Sequence, residues 1–261
     1  MHSVDKQNVA SAFGRAVETY DQQAILQREV ANRLIANVKE ENIFAKVLDA
    51  GCGTGYVSQN LKYHKGYEIT ALDLSHEMLQ KAQDNNVAHH YLLGDIESLP
   101  LADNQFDVVV SSLAIQWCHS LTLAISELLR VLKPQGRLYL STLTQPSLWE
   151  LAKAWQALDD DPHVLTFLSD EEIVKTLSKL QEVYVIQSVN YSAYCKALRF
   201  DHIVALLKSL QGIGATALPY RKKGLMGKNQ LKLLSESYPK NVLTDQLALT
   251  YQIAEIVIVK G

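Results

Sequence analysis

The segment KVLDAGCGTGYVSQNL, residues 46–61, sets Gly51, Gly53 and Gly55 at alternate positions behind Asp49 and a short apolar run. Bare backbone where a strand passes into a helix leaves amide N–H groups and the positive end of the helix dipole converging on one spot. Such a spot suits a polar, nucleotide-like ligand. A phosphate-gripping Walker loop is excluded, because GCGTGYVS lacks the Gly-Lys-Ser/Thr ending. The dinucleotide fingerprint fits poorly, since the third glycine comes one place early and Tyr56 follows it. Asp49 narrows the choice. A carboxylate just before the turn repels a pyrophosphate and suits a ligand with an ammonium or sulfonium charge. This points to S-adenosylmethionine.

Two further carboxylates fit that ligand. Asp73 ends the apolar run ALD, where it can take both ribose hydroxyls, and Leu74 follows it. Asp95, in GDIESLP, is placed to accept from an adenine amino group, with Ile96 against the ring. Cys52 in the turn and Ser111 at the end of FDVVVSS complete the expected cofactor set.

These residues need elements to hold them. Residues 1–42 carry apolar positions at three- and four-residue steps, including Val9, Ala12, Phe13 and Ala16, and predict two helices before the first strand. KVLDAG, YEITALDLS, HHYLLGDIESLP, FDVVVSSLAI and RLYLSTL read as five strands. Between them VSQNLKYH, HEMLQKAQDN behind an N-cap at Ser75, and LTLAISELLRVLKPQG, stopped by Pro134 and Gly136, read as helices. Strands alternating with helices demand a parallel sheet covered on both faces. After Leu143 the rhythm changes. SLWELAKAWQALDDDPH and SDEEIVKTLSKL read as helices, and EVYVIQSVNYSAY and ALTYQIAEIVIV as long strands. Residues 196–243 between those strands hold two more amphipathic helices, so they read as an added functional element. The whole is one α/β domain: a doubly wound, mostly parallel, seven-stranded sheet with an N-terminal helical lid (1–42), a cofactor-binding core (45–145) and a helical insertion between the last two strands (196–243).

Other features narrow the function by exclusion. A chain of 261 residues, 48% hydrophobic, can fill its core without staples. Cys52, Cys118 and Cys195 stand far apart, which supports neither a disulfide framework nor a zinc knuckle. Adjacent His89 and His90 point to opposite faces of a strand and read as structural, so no metal is expected. No run is long and apolar enough for a membrane span and no signal core is seen, which predicts a cytoplasmic location. A net charge of −3 argues against a dedicated nucleic-acid binder.

VLDAGCGTG, ALDLS, GDIESLPL and FDVVVSSLAIQW, in that order, are similar to the cofactor motifs of the class I S-adenosylmethionine-dependent methyltransferases, a Rossmann-like family. The resemblance implies that Asp49 lies near the methionyl amino group, that the glycines line the methionine and ribose, and that Asp73 and Asp95 bind as described. Nearly the whole chain further resembles the members that methylate the free carboxyl of malonyl thioesters on acyl carrier protein, which starts pimeloyl assembly in bacterial biotin synthesis. AFGRAVETYDQQAILQ, SLAIQWC and LKSLQGIGATAL carry that likeness.

A carboxylate acceptor is already ionised near neutral pH, which agrees with a sequence offering no general base and no histidine–carboxylate pair. Catalysis then rests on a dry, positioned pocket, for which Tyr20, Phe13, Gln116 and Trp117 are candidates, although Trp117 also suits plain core packing. The acidic run Asp159 to Asp161 reads as a solvent-facing helix end. Lys196, Arg199, Lys208, Arg221, Lys222, Lys223, Lys228 and Lys232 cluster against Asp201 alone, which suits an acidic carrier protein; Lys196, Arg199 and Arg221 to Lys223 are the candidate contacts. A methyltransferase for a small carboxylic acid or a quinone-like ring, and a non-catalytic cofactor-binding module, remain as alternatives.

Overall fold

The computed structural model describes residues 5–39, 45–63, 66–215, 227–240 and 246–261. Helices α1 (Lys6–Gln23) and α2 (Ile25–Lys39) come first, and the Asp5 side chain caps α1 by accepting from the amides of Gln7 and Asn8. Strand β1 (Ala45–Ala50) then leads through the glycine turn into α3 (Tyr56–Lys62), followed by β2 (Tyr67–Asp73), α4 (His76–Asp84), β3 (His90–Leu93) and β4 (Phe106–Ser112). The alternation closes with a 3-10 turn at Ile115–Trp117, α5 (Leu121–Val131) and β5 (Leu132–Thr144). Ser75 caps α4 as its sequence position predicts, accepting from the Met78 amide.

The sheet runs β3-β2-β1-β4-β5-β7-β6, where β6 is Ile186–Phe200 and β7 is Leu247–Lys260. The first five strands are parallel; β7 is antiparallel to both its neighbours. This is the doubly wound, mostly parallel, seven-stranded architecture expected from the sequence. β1 is buried on both faces at Val47, Leu48 and Ala50, because α2 and α3 pack on one side of the sheet and α5 and α7 (Asp170–Val183) on the other. Strand order reverses between β1 and β4, which opens a crevice at their carboxyl ends.

Several boundaries differ from the sequence reading: the helix read through His163 covers only Trp149–Gln156, the strand read from His89 to Pro100 covers only His90–Leu93, and two others shift. α5 stops at Val131, short of Pro134. A proline disfavours helix at the residue before it, so Leu132 already pairs with Phe106, and Lys133 to Gly136 form an irregularity before Arg137 rejoins Val108. α7 runs through Val183, where β-branched residues had suggested strand. Its buried stripe of Ile173, Leu177 and Leu180 keeps helical spacing.

The insertion supplies α8 (Ile203–Gly212) and α9 (Lys228–Ser237), which with α6 (Trp149–Gln156) form a separate apolar cluster beneath β7. The end of α8 presses on α1. Gly214 has φ 71°, and a Cβ there would lie 2.9 Å from the Phe13 Cα, while Thr19 Oγ1 donates to the Gly212 carbonyl at 3.0 Å. The two segments that flank the site in space thus brace each other.

Candidate active site

The glycine turn bends through left-handed backbone at Gly51, Gly53 and Gly55, with φ of 78°, 55° and 89°. Only Gly53 faces open space. A Cβ on Gly51 would meet the Ala114 Cβ at 2.4 Å and one on Gly55 the Val87 Cγ2 at 2.3 Å, whereas one on Gly53 would find the Tyr20 ring at 3.9 Å or more. Gly51 and Gly55 let the backbone close; Gly53 opens under Tyr20.

Asp73 ties this turn to the cleft. Its Oδ2 accepts from the Gly53 amide and its Oδ1 from the Ser75 amide, each at 2.8 Å. Burial pushes its carboxyl above the ordinary range, with the backbone donors opposing. Asp73, Leu74 and Ile96 all line one cleft. Asp95 lines it too, with Oδ1 accepting from the Glu97 amide at 2.9 Å and Oδ2 bonded to Lys6 on α1. Lys6 also pairs with Glu97, so α1 is fastened across the adenine end expected for this cleft. Its sequence context gave no sign of that role.

Asp49 is placed differently from a ligand-facing carboxylate. It is buried, and its Oδ2 accepts from both the amide and the hydroxyl of Ser58, at 3.0 and 2.6 Å, holding the first turn of α3. Burial lifts its pKa to about 6 against those bonds. With Cys52 it lines a smaller chamber beside the main cleft, where the side chains of Asp21, Arg28 and Thr54 also converge. Thr54 Oγ1 donates to Asp21 at 2.7 Å, and the Arg28 guanidinium lies 5.7 Å from the Tyr56 ring centre. Burial raises the Cys52 thiol well above its usual range, which makes it an inert packing group. Ser111 does not reach the cleft: it is fully buried and donates to the Ala50 carbonyl at 2.7 Å. Because side chains alternate along a strand, its neighbour Ser112 lines the cleft instead.

Tyr20 lines the cleft, the smaller chamber and a third chamber. Burial, then the charges of Asp73 and Asp21, drive its phenol far above the ordinary value, so it stays a neutral donor. Phe13 and Trp117 share the boundary of cleft and third chamber, packed edge to face with centroids 5.4 Å apart. Gln116 lines the third chamber, its amide nitrogen committed to the Leu113 carbonyl at 2.7 Å. The four aromatic and polar wall candidates are thus brought together. The same wall overturns the expectation of no histidine–carboxylate pair: His163 lies 2.6 Å from Asp159. Asp159, Asp160 and Asp161 are solvent-exposed, as expected of the acidic run.

A family model described as a methyltransferase domain matches residues 48–140. A malonyl-[acyl-carrier protein] O-methyltransferase of Enterobacter lignolyticus is 43% identical over 97% of this chain and 97% of its own length. The Yersinia pestis protein of that name is 44% identical over 90% of this chain and 85% of its own. The chain belongs to the malonyl-[acyl-carrier protein] O-methyltransferase family. Its fold is shared with the YcgJ protein of Bacillus subtilis, with a TM-score of 0.63 at 20% identity over 89% of this chain and 98% of the other. A putative methyltransferase from Bacillus halodurans gives 0.62 at 16% identity, over 87% and 97%.

In this malonyl-[acyl-carrier protein] O-methyltransferase family member, two of the basic residues singled out for a carrier lie on β6. Lys196 is paired with Glu29 at 2.6 Å, while Arg199 is exposed near the end of edge strand β6. Arg221, Lys222 and Lys223 lie outside the described residues. Among the described residues no helix is long and apolar enough to cross a membrane, and no group of three or more His, Cys, Asp or Glu could hold a metal.

Proposed function

We propose that this chain transfers the methyl group of S-adenosylmethionine to the free carboxyl of a malonyl thioester on acyl carrier protein, early in biotin synthesis. The observation that carries this reading is that a cleft carrying Asp73 and Asp95 in its wall and a second chamber meet at Tyr20, Phe13 and Trp117. Residues of the cleft fit the cofactor: Asp73 offers paired carboxylate oxygens for a ribose, Leu74 and Ile96 an apolar slot for a base, and Gly53 bare backbone. The smaller chamber, lined by Arg28, which donates to the Asp21 carbonyl, and by Asp21 itself, fits the charged groups of an amino-acid end.

When bound, S-adenosylmethionine supplies a sulfonium methyl that a carboxylate oxygen takes as the S–CH₃ pair returns to sulfur, with no proton moved. The wall around Tyr20 excludes water and aligns the acceptor; loss of charge along the reaction favours such a dry site over bulk solvent. α1 and α2 act as the lid, residues 45–145 hold the cofactor, and the insertion meets the carrier.

Intact-mass measurement of malonyl-loaded acyl carrier protein with this protein and S-adenosylmethionine tests the proposal. One added methyl on malonyl-loaded carrier, and none on acetyl-loaded carrier, is the expected result. Methylation of a small carboxylic acid without any carrier would favour the small-molecule reading, and cofactor binding without turnover a non-catalytic one. A second expectation concerns docking. Arg199→Glu should raise the KM for carrier-bound substrate about threefold to tenfold, through lost attraction to an acidic partner, with cofactor affinity unchanged. An unaltered KM would remove Arg199 from the docking surface.

A further inference from the structure

A malonyl group brings a carboxylate into the chamber beyond Tyr20, and an apolar wall alone would expel it. Among the described residues lining that chamber, His163 is the one side chain able to carry positive charge. Its hydroxyl neighbours, Tyr20 and Tyr251, are neutral, because burial drives both phenols far above their ordinary range.

The imidazole is fixed on two sides. It stacks on Trp155, with ring centroids 3.8 Å apart and planes 13° apart, and its Nε2 lies 2.6 Å from Asp159 Oδ1. Asp159 is itself set by a turn after α6, in which its Oδ1 accepts from the Asp161 amide at 3.0 Å. Two residues beyond His163, Leu165 packs with Phe13 and Trp117 at the boundary of cleft and chamber. The ring lines the acceptor chamber and is absent from the lining of the cofactor cleft.

We infer that His163 binds the acceptor carboxylate and that Asp159 is a positioning residue acting through it; the inference rests on the carboxyl methylation proposed above. As an imidazolium the ring has two donors. Nε2–H donates to Asp159 and Nδ1–H to the acceptor, so the cation separates two carboxylates that would otherwise repel. The acceptor loses its charge as the ester forms, and the ion pair therefore favours bound substrate over transition state and product. Its removal raises KM and leaves kcat unchanged or modestly higher, and the neutral ester is free to leave.

The test compares binding of malonyl-loaded and acetyl-loaded acyl carrier protein to the full chain with S-adenosylhomocysteine present, so that no transfer occurs. The wild-type chain should prefer the malonyl form by about 10-fold. His163→Gln should abolish that preference and raise the malonyl KM about 10-fold with kcat within about twofold. Asp159→Asn should do so partially, and His163→Lys should restore part of the preference by returning a cation. Affinity for S-adenosylhomocysteine reports folding and should not move. Should His163→Gln fold poorly, Asp159→Asn and His163→Lys carry the same comparison. A full malonyl preference in His163→Gln, or in Asp159→Asn and no gain in His163→Lys, overturns the assignment. Failure of the wild-type chain to methylate malonyl-loaded carrier in the intact-mass assay is a separate result, and overturns the reaction together with this role.

Discussion

Tyr20→Ala is expected to lower kcat/KM for carrier-bound malonate about 100-fold, the scale on which loss of alignment slows a positioned reaction. Tyr20 is the residue on which cleft, smaller chamber and acceptor chamber converge, so truncating it merges three spaces and admits water where the reacting atoms must meet dry. Tyr20→Phe separates the ring from the hydroxyl. It keeps the wall and the contact with Phe13, whose ring centre is 6.3 Å away, and should cost about 10-fold or less through loss of one donor to the bound ligands. Single-turnover rates with saturating cofactor measure both variants. An alanine variant within about threefold of wild type would place the water-excluding wall elsewhere.

Asp73→Asn is expected to weaken S-adenosylmethionine binding about 100-fold, or about 3 kcal/mol, as read by calorimetric titration. Two effects add. A charged acceptor for the ribose is lost, and the asparagine side chain has one carbonyl oxygen where Asp73 uses two, for the amides of Gly53 and Ser75. One of those amides then lacks its partner and the glycine turn loosens. Thermal unfolding without cofactor should show only a small loss, since Asp73 sits at the strand end and not within the apolar core. Unchanged cofactor affinity would show that the carboxylate serves the loop alone.

Much of the fold was legible because its signals are local. Four of the five parallel strands are apolar runs with a helix after them, and the glycine turn falls where β1 passes into α3. Asp73, Leu74, Asp95 and Ile96 reached the cleft because strand ends in a doubly wound sheet share one edge. Ser111 missed it by one residue. The choice between Ser111 and Ser112 depends on which face of β4 meets the cleft, a question of register that both serines answer identically in sequence. Pro134 signalled that α5 must end, but the helix stopped three residues before it because Leu132 found a strand partner in Phe106.

Lys6 and His163 were illegible for another reason. Lys6 lies 89 residues from Asp95, and nothing near it in the chain marks it as part of a cleft. DDDPH reads as a solvated helix end, although the helix stops at Gln156. Its histidine becomes a wall residue only because the chain folds back after α6 and lays the ring on Trp155.

By itself, the sequence determined the sheet class, the strand ends that carry acidic side chains, the glycine turn and the family resemblance, all properties written in spacings of a few residues. Tertiary structure alone decided that Asp49 braces α3 through Ser58, that Lys6 fastens α1 over Asp95, and that Tyr20 divides three chambers. It also decided that His163 lines the chamber beyond Tyr20. The physical reason is that burial and long-range pairing set what a polar side chain does, and neither is a function of its neighbours in sequence.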